Sequence, residues 1–180
     1  MSRADGAIQA AIKVGGLVGD NDTGSISESF ATGAVTGGDQ SSVGGVAGVN
    51  EASGDISNSY ATGAVTGGEG AAVGGFVGEN DSSVEEAYST SAVAAGMGSF
   101  VGGFDGSGGG FTFTNCYWDT TTSGTDQGTG GGNVDGLTGL TTEQLQSGLP
   151  TGFDPAIWAE NSNINDGLPY LIANSPSKKK

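Results

Sequence analysis

The sequence predicts an all-β protein: a β-solenoid (β-helix) of about four 28–30-residue coils, followed by a mostly irregular C-terminal cap containing one short helix. Three observations lead there. Four segments begin alike, at Val14-Gly15-Gly16-Leu17, Val43-Gly44-Gly45-Val46, Val73-Gly74-Gly75-Phe76 and Val101-Gly102-Gly103-Phe104, spaced by 29, 30 and 28 residues. A second block recurs within each unit, from Phe30 to Gly37, from Tyr60 to Gly67, from Tyr88 to Ala95 and, degenerate, from Tyr117 to Gly124. Glycine supplies 37 of 180 residues without a third-position period, which excludes collagen and disfavours long helices, where each interior glycine costs ~1 kcal/mol against alanine.

The repeated segments are short, β-branched or aromatic, and bounded by Gly, Asn, Asp and Ser, which are strand and turn signals. No single unit has an apolar face large enough to fold alone. Stacking equivalent strands at ~4.8 Å pairs their backbones and merges their small cores. Aligned positions then become ladders: Phe30, Tyr60, Tyr88 and Tyr117; Ile26, Ile56, Val84 and Phe113; Val35, Val65, Val93 and Thr122; Ser29, Ser59, Ala87 and Cys116. Cys116 therefore fills a small, sheltered slot, and no histidine or lysine lies near in sequence to make it a thiolate. Ile26 and Phe30 share strand parity, which favours both facing inward. A bend near Ser27 would uncouple them. Facing outward, Phe30, Tyr60, Tyr88 and Tyr117 would form a strip suited to stacking on sugar rings, and they are the candidate ligand-binding residues.

The chain divides into residues 1–13, an N-terminal cap or remnant of a longer array; 14–124, the solenoid repeats; 125–173, a non-repeating cap; and 174–180, a disordered tail. Asp5 is placed to cap a short helix carrying Ile8 and Ile12, although the same residues also suit a partial strand. Thr141 and Gln144 have capping-box spacing, which predicts a short helix over 141–147. Phe153, Pro155, Ile157, Trp158, Leu168 and Leu171 then read as a plug over the last coil.

Charge excludes several functions. The formal net charge is −15, and no lysine, arginine or histidine occurs from Val14 to Ser177. Such a body cannot neutralise phosphates, so nucleic acid is not an expected partner, and anionic lipid is disfavoured for the same reason. No apolar run approaches the ~18 residues of a membrane span. The start of the sequence lacks the charged and then apolar pattern of a signal peptide.

Gly16-Leu17-Val18-Gly19, Gly45-Val46-Ala47-Gly48 and Gly75-Phe76-Val77-Gly78 resemble the GLUG motif, glycine-leucine-hydrophobic-glycine. The accompanying Ser-aromatic-Ala-Thr-Gly blocks are similar too. Such repeats occur in filamentous-haemagglutinin-like exoproteins, other bacterial and archaeal surface proteins, and streptococcal IgA1 metallopeptidases, where they are not the catalytic part. Cys116-Tyr117-Trp118-Asp119, Gly139 to Leu145, Gly152 to Trp158 and Gly167 to Leu171 resemble the segment that follows the repeats in the haemagglutinin-like proteins. The resemblance implies an extracellular or cell-surface module. Gly103-Phe104-Asp105-Gly106 departs from the motif, with Asp105 in the hydrophobic slot.

Catalytic chemistry finds little support. Without histidine there is no Ser-His-Asp or Cys-His arrangement, and one cysteine does not make a structural zinc site. Two carboxylates suffice for glycoside hydrolysis, but 20 of them make a suitable pair easy by chance. The expected function is therefore a non-catalytic adhesion, stalk or matrix module. Its partners would be a cell-surface or matrix protein or glycan. The alternatives are a carbohydrate-binding module using the aromatic ladder, and a subunit that self-associates through its coil ends. Calcium is the one candidate cofactor. Asp20, Asp22, Glu51, Glu79 and Asp81 follow equivalent strands and offer the oxygen ligands that hard cations take. The competing reading is an asparagine ladder flanked by solvated carboxylates. The threonines Thr32, Thr62 and Thr90, with Thr36 and Thr66, suit β-propensity and cross-rung hydroxyl bonding better than ice binding.

Overall fold

The computed structural model describes residues 3–4, 8–10, 12–108 and 112–176, with side chains from 12 onward. Each coil has four faces. The first is the longest, formed by Ser25–Ala31, Asp55–Ala61 and Val84–Ser89. The second comprises Val35–Gly37, Val65–Gly67 and Val93–Ala95, and the third Ser42–Gly44, Ala72–Gly74 and Phe100–Gly102. The fourth comprises Val18–Asn21, Ala47–Asn50 and Val77–Asn80. Every face is a parallel sheet in which equivalent residues pair, so Val14, Val43, Val73 and Val101 form one ladder and Val35, Val65 and Val93 another. The repeat period thus becomes a stacking period, and the predicted solenoid is the fold.

Three apolar clusters hold it. The main interior contains Ile56, Val46, Phe76, Val84, Phe104 and Cys116, with Phe76 and Phe104 stacked at 4.6 Å. A separate valine core of Val14, Val35, Val43, Val65 and Val73 fills the corner between the second and third faces. The third and fourth faces approach at backbone distance. A Cβ on Gly44 would collide with the Ala47 carbonyl oxygen and the backbone of the next coil, which is why this position is glycine. The third cluster lies on the outer side of the first face.

That placement follows from the backbone. Glu28, Asn58, Glu86 and Asn115 stack in the middle of the first face with φ of 45°, 45°, 49° and 53°. A left-handed residue interrupts the two-residue alternation of a strand. Ile56 and Ala61 point into the main interior with Ala87 and Cys116, whereas Phe30, Tyr60, Tyr88 and Tyr117 belong to the outer cluster. The parity argument that favoured inward aromatics is corrected here. The residues are buried, but the tail buries them, not the solenoid interior.

The two ends differ from expectation. Ile8–Ala10 is a strand paired with Val35–Gly37, and Arg3–Ala4 pairs with Phe30 and Ala31, so of the two readings the partial strand holds and the helix does not. Asp5, its expected cap, lies outside the described residues. Asp105 does not break the fourth coil. Phe100–Gly102 pairs in sequence with Ala72–Gly74, and Asp105 bridges Val77. The degenerate block after Tyr117 becomes a second short helix, Thr120–Ser123, whose first amides are capped by Asp119. The chain then cuts across to the fourth face, where Gly103 donates to Gln127 and Phe104 to Gly128. Leu137–Leu140 adds a last strand to the first face.

The expected helix near 141–147 is present as Thr142–Leu145, with both halves of the Thr141/Gln144 capping box formed. Beyond it the tail does not plug the last coil. It runs back along the outside of the first face, and its final turn, Ile172–Asn174, reaches the Ser25–Ala31 strand. The disordered tail expected over 174–180 falls mainly on residues outside the described set.

Candidate functional site

Among the residues singled out from the sequence, the aromatic ladder is the most organised group. Phe30 and Tyr60 stack at 4.8 Å and Tyr60 and Tyr88 at 5.0 Å, each pair within 5° of parallel. Each such pair contributes about 0.5–1.5 kcal/mol beyond its area burial. Trp158 lies tilted against both tyrosines, and Phe153 packs on Tyr88, Tyr117 and Trp158. Leu145, Leu168 and Leu171 complete the cover.

Polar tips fix the tail in place. The Tyr88 hydroxyl donates to the Pro169 carbonyl at 2.6 Å and accepts from Asn165 at 2.8 Å. The Tyr117 hydroxyl donates to the Thr151 carbonyl at 2.7 Å. Burial pushes the Tyr88 phenol well above its ordinary pKa, so it stays a neutral donor. Phe30, Tyr60 and Tyr88 are 0 % exposed and Tyr117 is 8 % exposed, so the strip proposed for sugar rings is covered by this chain's own C-terminal segment. Tyr117 alone borders an open groove of about 510 Å³.

The acidic corners take a different form. Asp20, Val49 and Glu79 share one column, so a valine separates the two carboxylates. Glu51 and Asp81 follow Asn50 and Asn80, with their amides bonded to the preceding rung. Lys13 bridges Asp20 and Glu51 at 2.8 and 2.7 Å, and these hydrogen bonds raise its pKa. Glu79 accepts from the Ser42 hydroxyl at 2.8 Å, and Asp22 is exposed. Among the described residues, no three acidic, Cys or His groups converge as a metal-binding set. The competing expectation is realised next to them. Asn21, Asn50 and Asn80 are buried, and each carboxamide donates to the next at 2.7 and 2.8 Å.

Two buried groups stand apart. Cys116 occupies the small column, its thiol directed at the Val84 carbonyl and pushed up to about 12 by burial. Asp105 is fully buried, takes hydrogen bonds from the Ser107 amide and hydroxyl, and is pushed up to about 8 by burial. The sequence flagged Asp105 as a departure from the motif. It did not show that the carboxyl would be sealed in.

The coil geometry can now be set beside known proteins. The family model described as the GLUG motif matches residues 10–36 and 39–66. The chain carries GLUG-motif repeats. Beyond the matched residues the third coil stacks on the second and the fourth on the third, Val73 pairing with Val43 and Val101 with Val73. No curated protein sequence matches the chain. Among solved structures, a Bacteroides ovatus protein provisionally assigned as an immunoglobulin A1 protease is similar at a TM-score of 0.72 and 20% identity. The match covers 96% of this chain and 56% of the other, so the chain spans little more than half that structure's length. At this identity the likeness is one of fold.

Proposed function

We propose that the chain is a non-catalytic module of a surface protein, with its solenoid acting as a stiff spacer or adhesive stalk. The observation that carries this reading is the use of the aromatic ladder. The side chains best suited to a ligand strip are consumed in fastening the tail along the coils. A strap across successive coils ties them into one body, so the stack resists shear between rungs. The cation-free surface from Val14 to Ser177 fits a part exposed to solvent rather than to nucleic acid or anionic lipid. GLUG repeats in surface exoproteins support an exterior location. Among the described residues no helix is long and apolar enough to cross a membrane.

The test is an array of glycans and matrix proteins probed with the wild-type chain and with Tyr60→Ala. Absence of ladder-dependent glycan binding is expected. Binding of a glycan that is lost in Tyr60→Ala, in a variant that still folds, would overturn the reading in favour of a carbohydrate-binding module.

A further inference from the structure

The coil following the fourth is incomplete. After Cys116–Asp119 on the first face, the chain forms the helix Thr120–Ser123 and next meets the stack on the fourth face at Gln127 and Gly128. The second and third faces are skipped. Val93–Ala95 and Phe100–Gly102 are therefore the last strands of their sheets, each with one edge unpaired among the described residues. Their apolar side chains are correspondingly open. Val93, Ala95 and Val101 are half-buried, whereas Val65 and Val73, one rung earlier, are 0 % exposed. Met97 and Phe100 on the same corner are 81 % and 60 % exposed.

We propose that this two-sided edge takes up an extended, basic and apolar segment of a partner protein by strand addition. Unpaired parallel edges supply main-chain donors and acceptors, and the open valine core supplies pockets for alternate side chains. The vacant rung corresponds to Val93 through Gly102, so about ten residues turning one corner would fill it. A complete coil from a second copy does not fit. On the first face the rungs Cys116–Asp119 and Leu137–Leu140 already extend beyond Val84–Ser89, and on the fourth Thr129 pairs with Asp105. Charge selects the segment. The corner column preceding Met97 carries the exposed carboxylates Glu69 and Asp39, and no cation lies within the body to balance them. The edge is a property of the coils and does not depend on the spacer reading.

An alternating valine–lysine decapeptide is the probe, titrated into the ¹⁵N-labelled full chain. Amide shifts confined to residues 93–102, with affinity at least tenfold weaker in Met97→Asp/Phe100→Asp, are expected. Both substituted positions are exposed, so the variant should melt as the wild type does, which the same samples report. Shifts spread over the acidic surface, or affinity unchanged in the double variant, would overturn the proposal. So would a wild-type dimer in light scattering that the double variant abolishes, since the edge would then be covered by a second copy.

Discussion

The indole nitrogen of Trp158 donates to the carboxamide oxygen of Asn58 at 2.9 Å, joining residues 100 positions apart. Asn58 is one of the left-handed residues that turn the ladder outward, so one side chain both shapes the first face and holds the strap against it.

Truncating Trp158 to alanine is expected to destabilise the chain by about 3–5 kcal/mol, the range for large aromatic deletions in a packed core. Asn58 separates two effects. Asn58→Gly loses the hydrogen bond but keeps the positive φ, whereas Asn58→Ala loses the bond and strains the backbone by a further ~1 kcal/mol or more. Urea melts of the three variants check the order: tryptophan truncation largest, glycine smallest.

The asparagine ladder makes a second prediction. Asn50 accepts from Asn21 and donates to Asn80, both buried. Asn50→Leu leaves polar groups unpaired on both neighbouring rungs, at about 1–3 kcal/mol for each orphaned group. The exposed Thr66→Val, on the second face, should change stability by less than about 0.5 kcal/mol. Thermal melts that fail to separate the two would contradict the ladder's contribution.

Asp105 sets a pH dependence. Its carboxyl is raised from 3.8 to about 8 in the folded chain, so the native state holds the proton more tightly than the unfolded state does. This contribution to stability is complete below pH ~4, falls as pH rises between those values and is absent above the folded pKa. Melting temperature measured from pH 5 to 9 should fall for the wild type and fall less steeply for Asp105→Asn. Parallel curves would contradict a buried neutral carboxyl.

Gly44 tests the close approach of the third and fourth faces. Gly44→Ala places a methyl group against main-chain atoms that cannot rotate away. It should unfold the chain or lower its stability by several kcal/mol, whereas Gly38→Ala, with open space around it, should be tolerated. Circular dichroism of the pair decides this.

The solenoid was legible because 28–30-residue columns become ladders, as at Val14, Val43, Val73 and Val101. The small slot of Cys116 and the Thr141/Gln144 capping box were legible for the same kind of reason, since each follows from local position. The direction of the aromatic ladder was not. It turns on left-handed residues at Glu28, Asn58, Glu86 and Asn115, and only the asparagines are types that favour that conformation. The bend near Ser27 that uncouples the two parities falls at Glu28 and its equivalents, and the two glutamates give no signal that it recurs. The path of the tail was equally obscure. Phe153, Trp158 and Leu171 mark an apolar segment, but nothing periodic says which surface it covers.

The central claim is that successive coils stack with equivalent residues adjacent and that the tail seals the outward ladder. A single NOESY spectrum on valine-methyl-labelled, aromatic-protonated protein tests both parts. It should connect the methyl groups of Val14 to Val43, Val43 to Val73 and Val73 to Val101 in sequence, and the Trp158 ring to Tyr60 and Tyr88. Missing methyl contacts between neighbouring coils, or a Trp158 ring without contacts to either tyrosine, would contradict it.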